Sequence, residues 1–317
     1  MAITLAQAQE LSQSKLTQDV ILEFRKSPIL DMIPFDNTIK PQGGDSLVYS
    51  YNRVTTMGTA AVRAINAEYT PQEQITQRVN VDLKVFGGSF NIDRVLAKHE
   101  QQVLNHVDAQ IKAKSEAAIA LFNELFITGD SAGDAREFDG LAAALASSST
   151  EVTPSGAINL SSSANIDSNY KAFMDALDAW LALLDGVPGA LLMNRSMRAI
   201  MSGVARRSGS FTQDEDAFGR PVTLYAGIPL IGMGEIQGTN NPIIPTDVGT
   251  GETDIYAVRF GLDGVHAVSP DGSDVVSVYL PDLTTAGAVK TGEVEMVAAI
   301  ALKNSRAAGV LHRIKVA

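Results

Sequence analysis

The longest stretch of the chain that can form one helix runs from residue 92 to residue 127, and it contains neither glycine nor proline. Its apolar residues recur at spacings of three and four, the pattern of a helix with one buried stripe. They are Leu96, Val103, Val107, Ile111, Ala118, Leu121, Phe122 and Leu125. Asp93 is a suitable N-cap and Gly129 a suitable C-terminal stop.

A helix of this length spans roughly 50 Å, about the diameter of a compact globule of this chain length. We therefore predict an elongated molecule with this helix, called the spine helix below, as its long axis. Two shorter helices with a break between His99 and His106 are the alternative.

The composition excludes several classes of protein. The chain has 317 residues, 45% of them hydrophobic, which is enough for one large domain or two ordinary ones. Its net charge of −11 disfavours non-specific attraction to nucleic acid or an anionic membrane. The absence of cysteine excludes disulfides, thiolate nucleophiles and cysteine-ligated zinc, and favours folding in the cytoplasm. No signal peptide and no membrane-spanning run is present.

A period of two replaces the helical period between residues 46 and 86. Val79, Val81, Leu83 and Val85 alternate with polar residues, as in a half-exposed strand, and residues 46–54 have strand-forming composition. The intervening residues 55–76 are mostly small and polar. A long two-stranded hairpin is not stable alone in water, so we predict that it extends over a neighbouring copy of the chain.

The N-terminal residues 3–26 are polar, with apolar residues at roughly helical spacing. They predict an amphipathic helix, either an arm laid along another surface or a surface helix of the same subunit. The pairs Ser27–Pro28 and Ile33–Pro34 favour extended or turn geometry and end this segment.

Beyond the spine helix, helices alternate with strands and hairpins. The Ser-rich residues 147–164 predict a surface loop or short hairpin. A helix capped at Asn165 or Asp167 is predicted to end near residue 184, a buried strand occupies residues 189–194, and a second helix covers residues 195–207. From residue 222 onward the pattern is of strands and turns, ending in the long strand 293–302 and a last one near the C-terminus. This interleaving is typical of an α+β protein.

Several fragments resemble enzyme motifs, but each lacks the required context. Ser12 and Lys15 have SxxK spacing, yet they lie in the polar N-terminal segment and no SDN sequence accompanies them. Residues 232–238 miss the GxGxxG pattern, and His99 and His106 are too far apart for an HExxH zinc site. We therefore predict that the chain is not an enzyme, with no catalytic residue, no cofactor and no metal ion.

Five segments in the same order resemble the tailed-bacteriophage major capsid proteins of the Hong Kong 97-type fold. Residues 61–71 are similar to the tip of that family's hairpin, and residues 81–96 to the run leading into its spine helix. Residues 124–141 resemble the passage that ends this helix. Residues 190–211 resemble its "Met-Asn, then helix, then Gly" block, and residues 223–236 its "small-Gly-Ile/Val-Pro" strand.

This resemblance implies an α+β chain with five segments. They are an N-terminal arm at 1–38, an extended loop at 39–86, a peripheral domain with the spine helix at 87–164, an axial domain at 165–290, and strands returning to the peripheral domain at 291–317.

The function that the resemblance implies is self-assembly into hexamers and pentamers of an icosahedral shell, which encloses packaged double-stranded DNA. The chain would then be part of a virion, assembled in the host cytoplasm and without a membrane. Its implied partners are other copies of itself, a separate scaffolding protein, a portal, a decoration protein, and DNA through weak non-specific contacts. Family members that weld their shells covalently use a lysine of the extended loop. No lysine lies between Lys40 and Lys84, so we predict no such crosslink.

Two groups of residues are candidates for these contacts. The extended loop is predicted to contact a neighbouring subunit through Val62, Ile65, Glu68, Tyr69, Val79, Val81 and Leu83. The inner wall is predicted to face DNA through Arg25, Lys26, Lys112 and Lys114. An encapsulin nanocompartment with the same fold, and a soluble enzyme with an unrecognised site, are the alternative functions.

Overall fold

The computed structural model describes residues 28–38, 47–56, 58–95, 101–209, 212–215, 221–270 and 276–317. The helices of these residues are α1 (Pro28–Met32), α2 (Gln101–Thr128), α3 (Leu141–Leu145), α4 (Ser163–Leu181) and α5 (Arg195–Ser208). None of them is long and apolar enough to cross a membrane.

The strands of the described residues form three sheets. In chain order they are β1 (Phe35–Asn37), β2 (Val48–Thr56), β3 (Ile75–Asp82), β4 (Lys84–Asp93), β5 (Glu151–Val152), β6 (Ile158–Asn159), β7 (Ala190–Met193), β8 (Thr212–Glu215), β9 (Pro221–Tyr225), β10 (Ile228–Gly232), β11 (Glu252–Val258), β12 (Val265–Ser269), β13 (Val276–Tyr279), β14 (Val289–Leu302) and β15 (Ala308–Lys315). A five-stranded sheet contains β1, β12, β14, β13 and β4, with β14 at its centre. An eight-stranded sheet has the order β5, β15, β11, β7, β10, β9, β8, with β6 also paired to β15. Strands β2 and β3 pair only with each other among the described residues.

The spine helix is observed as α2, and Arg94 and Val95, directly after the predicted N-cap Asp93, are also helical, so of the described residues only 92 and 93 depart from the predicted helix. Residues 92 and 93 belong to β4, which pairs antiparallel with residues 289–298 of β14. A period of two, with Phe90 and Ile92 buried, explains why this run is a strand. The Asp93 carboxylate accepts a hydrogen bond from the Val95 N–H at 2.7 Å, as an N-cap residue does.

The predicted end of the spine helix is confirmed, since α2 stops one residue before Gly129. A Cβ atom on Gly129 would lie 2.3 Å from the Phe138 carbonyl oxygen, so the returning chain requires glycine here. The alternative of a break between His99 and His106 is excluded from residue 101 onward, where α2 is continuous, and stays a prediction for residues 96–100, which lie outside the described part of the chain.

The C-terminal half of α2 packs on the five-stranded sheet through aromatic rings. Phe122 is fully buried, and its ring centroid lies 5.8 Å from that of Phe138 and 6.3 Å from those of Phe35 and Phe86. Each such ring buries a large apolar area, which makes this cluster the centre of the first core. The first core also includes Met296, Ala298, Ile300 and Leu302, which alternate along β14.

The central strands of the eight-stranded sheet are covered on both faces. In β7, Ala190 and Leu192 face the first core, whereas Leu191 and Met193 face a second core under α4 and α5. This explains why β7 is a continuous apolar run, as the sequence predicts for a buried strand. The two cores therefore share one sheet.

Polar caps set the ends of α4 and α5. The Ser162 hydroxyl accepts a hydrogen bond from the Asn165 N–H at 3.2 Å, so α4 begins slightly before the predicted cap residues. The Asn194 side chain caps α5 by accepting from the Met197 N–H at 2.8 Å. Gly209 ends α5 in the left-handed conformation with φ 71°, as glycine allows.

The end of the predicted N-terminal arm is more ordered than predicted. Pro28 opens a helical turn rather than an extended segment, because proline suits the first position of a helix. Ile29 and Ile33 are buried, and β1 pairs parallel with β12, so the end of the predicted arm contacts the first core. The rest of the predicted N-terminal helix, residues 3–26, lies outside the described residues.

The Ser-rich residues 147–164 form part of the sheet edge rather than only a loop. Strands β5 and β6 each pair parallel with β15, and Thr150 and Leu160 are fully buried. Because the two cores share the eight-stranded sheet, the sheet marks no boundary between domains. The predicted limits of the five segments therefore stay a prediction.

Candidate functional site, a projecting ribbon

Strands β2 and β3 form a long antiparallel ribbon, as the sequence predicts. The pairing runs from Val48 opposite Asp82 to Thr56 opposite Ile75. Residues 58–74 form its tip, where no strand pairing is described. We call residues 47–56 and 58–83 the ribbon.

The tip exposes apolar side chains that nothing in the described chain covers. Val62 is 101% exposed and Ile65 is 91% exposed. Water in contact with two large aliphatic side chains costs free energy, and burying either would stabilise a complex by about 1.5–3 kcal/mol. The tip is therefore suited to contact with a second apolar surface.

Local interactions hold the tip in one turn. The Ala67 N–H donates to the Ala64 carbonyl at 3.1 Å, with Asn66 in the left-handed region at φ 68°. The Arg63 guanidinium donates to the carbonyls of Ala64 and Ala67 and lies 5.4 Å from the centroid of the Tyr69 ring. Asparagine tolerates this backbone conformation better than most residues, so the turn is presented in a fixed shape.

The root of the ribbon is attached to the first core by aromatic hydroxyls. The Tyr49 hydroxyl donates to the Asp36 carboxylate at 2.6 Å, and the Tyr51 hydroxyl donates to the Leu302 carbonyl at 2.7 Å. The Arg53 guanidinium donates to the carbonyls of Leu302 and Lys303. Together with the exposed tip, this anchoring shows that the ribbon is fixed at one end and extends away from the body at the other.

The aromatic groups of the root are neutral at neutral pH. Burial, assisted by Asp36, raises the pKa of Tyr49, and burial raises the pKa of Tyr51. Burial and the nearby Lys303 ammonium lower the pKa of His266, which stacks edge-on against Tyr49, to about 4. The charged groups named in the root are therefore the Arg53 guanidinium, which donates to backbone carbonyls, and the ion pair between Lys303 and Asp36 at 3.9 Å.

A cleft of about 270 Å³ lies between the ribbon root and the connection that follows α2. Two of its charged groups have partners: Lys84 donates to the Ala135 carbonyl at 2.9 Å, and Asp139 accepts from the Ser131 N–H at 2.9 Å. Its lining contains no histidine. Within the described ranges, no group of three or more histidine, aspartate or glutamate side chains could hold a metal ion. The expectation that the chain is not an enzyme stays a prediction.

The structure places the predicted contact residues of the extended loop in three environments, which are the exposed tip, the partly buried strand β3 and the buried core. Val62, Ile65, Glu68 and Tyr69 are all exposed at the tip. Val79 and Val81 are partly buried along β3.

The prediction for Leu83 is wrong, because this residue is only 6% exposed and belongs to the core of its own subunit. Leu83 separates β3 from β4, and its N–H donates to the Leu47 carbonyl at 2.8 Å. Up to Leu83 the odd-numbered residues are the less exposed ones, whereas in β4 the even-numbered residues are. Val85, an odd-numbered residue of the predicted face, is therefore 56% exposed.

The residues predicted to face DNA are not brought together in the described structure. Lys112 is exposed, whereas the side chain of Lys114 lies against Gly88 of β4. Residues two apart on a helix point to different sides, so these lysines do not form one surface. Arg25 and Lys26 lie outside the described residues.

Sequence reasoning missed the residues that anchor the root. Tyr49, Tyr51 and Arg53 alternate in β2, so they project from one face of the ribbon. This alternation of long polar-tipped side chains was the available signal.

The described architecture is the Hong Kong 97-type capsid fold that the sequence resemblance predicts. Solved structures that share this fold include phage capsids and an encapsulin. No protein-family model matches the chain, and no curated protein matches its sequence.

Solved structures with this fold match nearly the whole chain at low sequence identity. The encapsulin of Synechococcus elongatus PCC 7942, in its holo complex, is 16% identical, with a TM-score of 0.65 over 99% of this chain and 97% of that chain. The capsid of Myoviridae phage XM1 is 15% identical, with a TM-score of 0.58 over 90% of this chain and 91% of that one. The capsid of a native GTA particle is 14% identical, with a TM-score of 0.58 over 90% and 89%.

Proposed function

We propose that the chain is a shell-forming subunit that assembles with copies of itself through the ribbon. The observation that carries this proposal is the tip, where Val62 and Ile65 are exposed on a turn that is already ordered. An ordered apolar turn loses little conformational entropy when a partner covers it, so burial contributes directly to association.

Of the shells with this fold, a tailed-bacteriophage capsid is the function we favour. The chain would form hexamers and pentamers of an icosahedral shell around double-stranded DNA, as part of a virion assembled in the host cytoplasm. A scaffolding protein, a portal and a decoration protein would be its partners. Support comes from the several phage capsids among the structural matches and from the order of the five sequence segments.

An encapsulin shell is the second candidate. It is favoured by the match to the Synechococcus encapsulin, which covers more of both chains than the XM1 match does. The contents of purified particles distinguish these candidates, since nucleic acid supports the first and a protein cargo the second.

The assembly proposal is tested by placing charge at the ribbon tip. In V62D/I65D, two carboxylates replace two aliphatic side chains that contribute about 3 kcal/mol or more per contact when buried. We expect each subunit contact to weaken roughly 100-fold or more, so that shells or capsomers disappear in favour of smaller species. Size-exclusion chromatography and electron microscopy of the fractions measure this change.

The matched control is V248D, because Val248 is also fully exposed, at 103%, but lies on a turn outside the ribbon. This turn is held by the Asp247 carboxylate, which accepts from the N–H groups of Gly249 and Thr250. V248D is expected to assemble like the unchanged chain. A persistent monomer of the unchanged chain, or unaltered assembly of V62D/I65D, would refute the proposed function.

A further inference from the structure

Helix α5 carries a concentration of positive charge in an acidic chain. Its 14 residues include four arginines, at 195, 198, 206 and 207, and no aspartate, glutamate or lysine. Met197, Met201 and Val204 are buried against the second core, so the charged residues lie on the outer side of the helix.

One of the four arginines already has a structural role. The Arg207 guanidinium forms an ion pair with Asp167 and donates to the Ser163 hydroxyl and to the Gly203 carbonyl, which fixes α5 against α4. Its charge is therefore largely compensated.

The other three arginines share one face. Positions 195, 198 and 206 are separated by three and eight residues, so they fall on the same side of a helix with about 3.6 residues per turn. All three are exposed, and Arg195 has a partner, Glu235, at 3.3 Å. Among the side chains that the structure describes, none forms an ion pair with Arg198 or Arg206. We call Arg195, Arg198 and Arg206 the arginine face.

Between these arginines the face is lined by small residues. Ala199 is exposed and Ser202 partly exposed, and no large apolar residue of α5 is exposed. Interfaces between proteins have an apolar centre from which charge is depleted, whereas contacts with nucleic acid are made mostly by charged groups to phosphates. The ribbon tip has the first character and the arginine face has the second.

We propose that the arginine face binds the backbone phosphates of double-stranded nucleic acid, and is therefore the part of the shell wall that contacts the packaged molecule. This rests on the proposed function, because three arginines on one subunit bind weakly and need the many copies of a shell to hold a duplex. The guanidinium group suits this partner, since it stays charged and binds phosphate oxygens through two parallel N–H groups.

The spacing of the face matches a duplex laid along the helix. Arg198 and Arg206 are about 12 Å apart along the helix axis, calculated from about 1.5 Å rise per residue. Double-stranded DNA carries roughly one phosphate charge per 1.7 Å of its axis, so this distance covers about seven phosphates. Both arginines can therefore contact one duplex at the same time.

The test is a salt titration of duplex binding by the full-length chain. A fluorescently labelled 30-base-pair duplex is mixed with the chain, and anisotropy gives the binding constant at several salt concentrations. We expect log K to fall with log salt, and R198Q/R206Q to reduce the slope by about 2, because each phosphate contact contributes about 0.9. Nuclease-protected nucleic acid in purified R198Q/R206Q particles is expected to fall as well.

K112Q/K114Q is the competing variant with the same change of charge. It removes the two lysines of α2 that the sequence suggests as DNA-facing, and it is expected to leave the slope unchanged. Circular dichroism and thermal melting confirm that both variants are folded, and electron microscopy shows whether they assemble.

The outcomes separate this inference from the proposed function. Absence of duplex binding, an unchanged slope in R198Q/R206Q, or an equal loss in K112Q/K114Q would overturn the inference while shells still form. Impaired assembly of R198Q/R206Q with unchanged duplex binding would assign the face to an acidic surface of a second copy, and would also overturn it. Failure of the unchanged chain to assemble would instead contradict the proposed function.

Discussion

At the scale of single residues, the close approach of β4 to β14 depends on glycine. A Cβ atom on Gly87 would lie 2.0 Å from the Val294 carbonyl oxygen, and one on Gly292 would lie 2.4 Å from the Phe90 ring. Glycine removes these clashes and lets the strands carry the spine helix on a closely packed surface.

G87A should therefore destabilise the chain, while G156A should not. The added methyl group of G87A meets backbone that cannot rotate away, so we expect a loss of about 1–3 kcal/mol in the free energy of unfolding. No atom lies within 4 Å of the Cβ position at Gly156, and there we expect a change within about 0.5 kcal/mol. Urea denaturation measures both, and equal midpoints for the two variants would contradict this account.

The candidate site was predictable from the sequence only in part, for reasons that concern individual residues. The tip residues Val62 and Ile65 could be identified because an apolar residue in a small, polar segment has no neighbours to cover it. Leu83 could not, since the change of phase between β3 and β4 depends on a strand break that the alternating pattern does not show.

At the scale of elements, the edge of the eight-stranded sheet is joined to its centre by a histidine. His312 of β15 is bonded to Asp254 of β11 at 2.9 Å and to Glu151 of β5 at 3.2 Å. The hydrogen bond to Asp254, opposed by burial and supported by Glu151, raises the pKa of His312 above its ordinary value of 6.5.

This arrangement predicts a pH-dependent contribution to stability. Because the folded-state pKa of His312 is raised, its stabilisation is fully present below the unfolded-state pKa and is lost as pH rises through the folded-state pKa. H312Q should thus lower the free energy of unfolding more at about pH 6 than at about pH 9. Urea denaturation at both pH values checks this, and a deficit that does not vary with pH would argue against it.

Most elements of the chain were predictable because their periodicity is strong. Helices α4 and α5 and strands β7, β11 and β14 have the predicted type, since their apolar residues repeat at helical spacing, alternate or, in β7, form a short continuous run. The extension of β4 to residue 93 was not predictable, because Phe90 and Ile92 fit a strand only when β14, about 200 residues later, is known to be its partner. Strands β5 and β6 were missed for the same reason: two-residue strands are defined by their partner, β15.

At the scale of the whole molecule, the exposed apolar residues of the ribbon tip and the arginine face lie on different elements. The ribbon projects from the first core, and α5 covers the second, while the eight-stranded sheet connects the two cores. This division suits a subunit that meets its own copies through one part and a polyanion through the other.

Shells of this protein should be held together without covalent bonds. The ribbon contains no lysine, so the ribbon cannot supply the amine of an isopeptide bond to a neighbouring subunit. We expect purified particles, once boiled in denaturing detergent, to give a single band at the 33.6 kDa of one chain. A ladder of multiples on the gel would show that another crosslink exists.

The pairing of β4 with β14 has a mechanical consequence for such a shell. The ribbon continues directly into β4, whose ten residues each pair with a residue of β14. A force applied to the ribbon reaches the paired strands β4 and β14 at Lys84 and acts along the strand axis. The force is therefore shared by many hydrogen bonds and does not break them one at a time. A shell under outward pressure from its contents would transmit this force from one subunit to the next without unfolding either subunit.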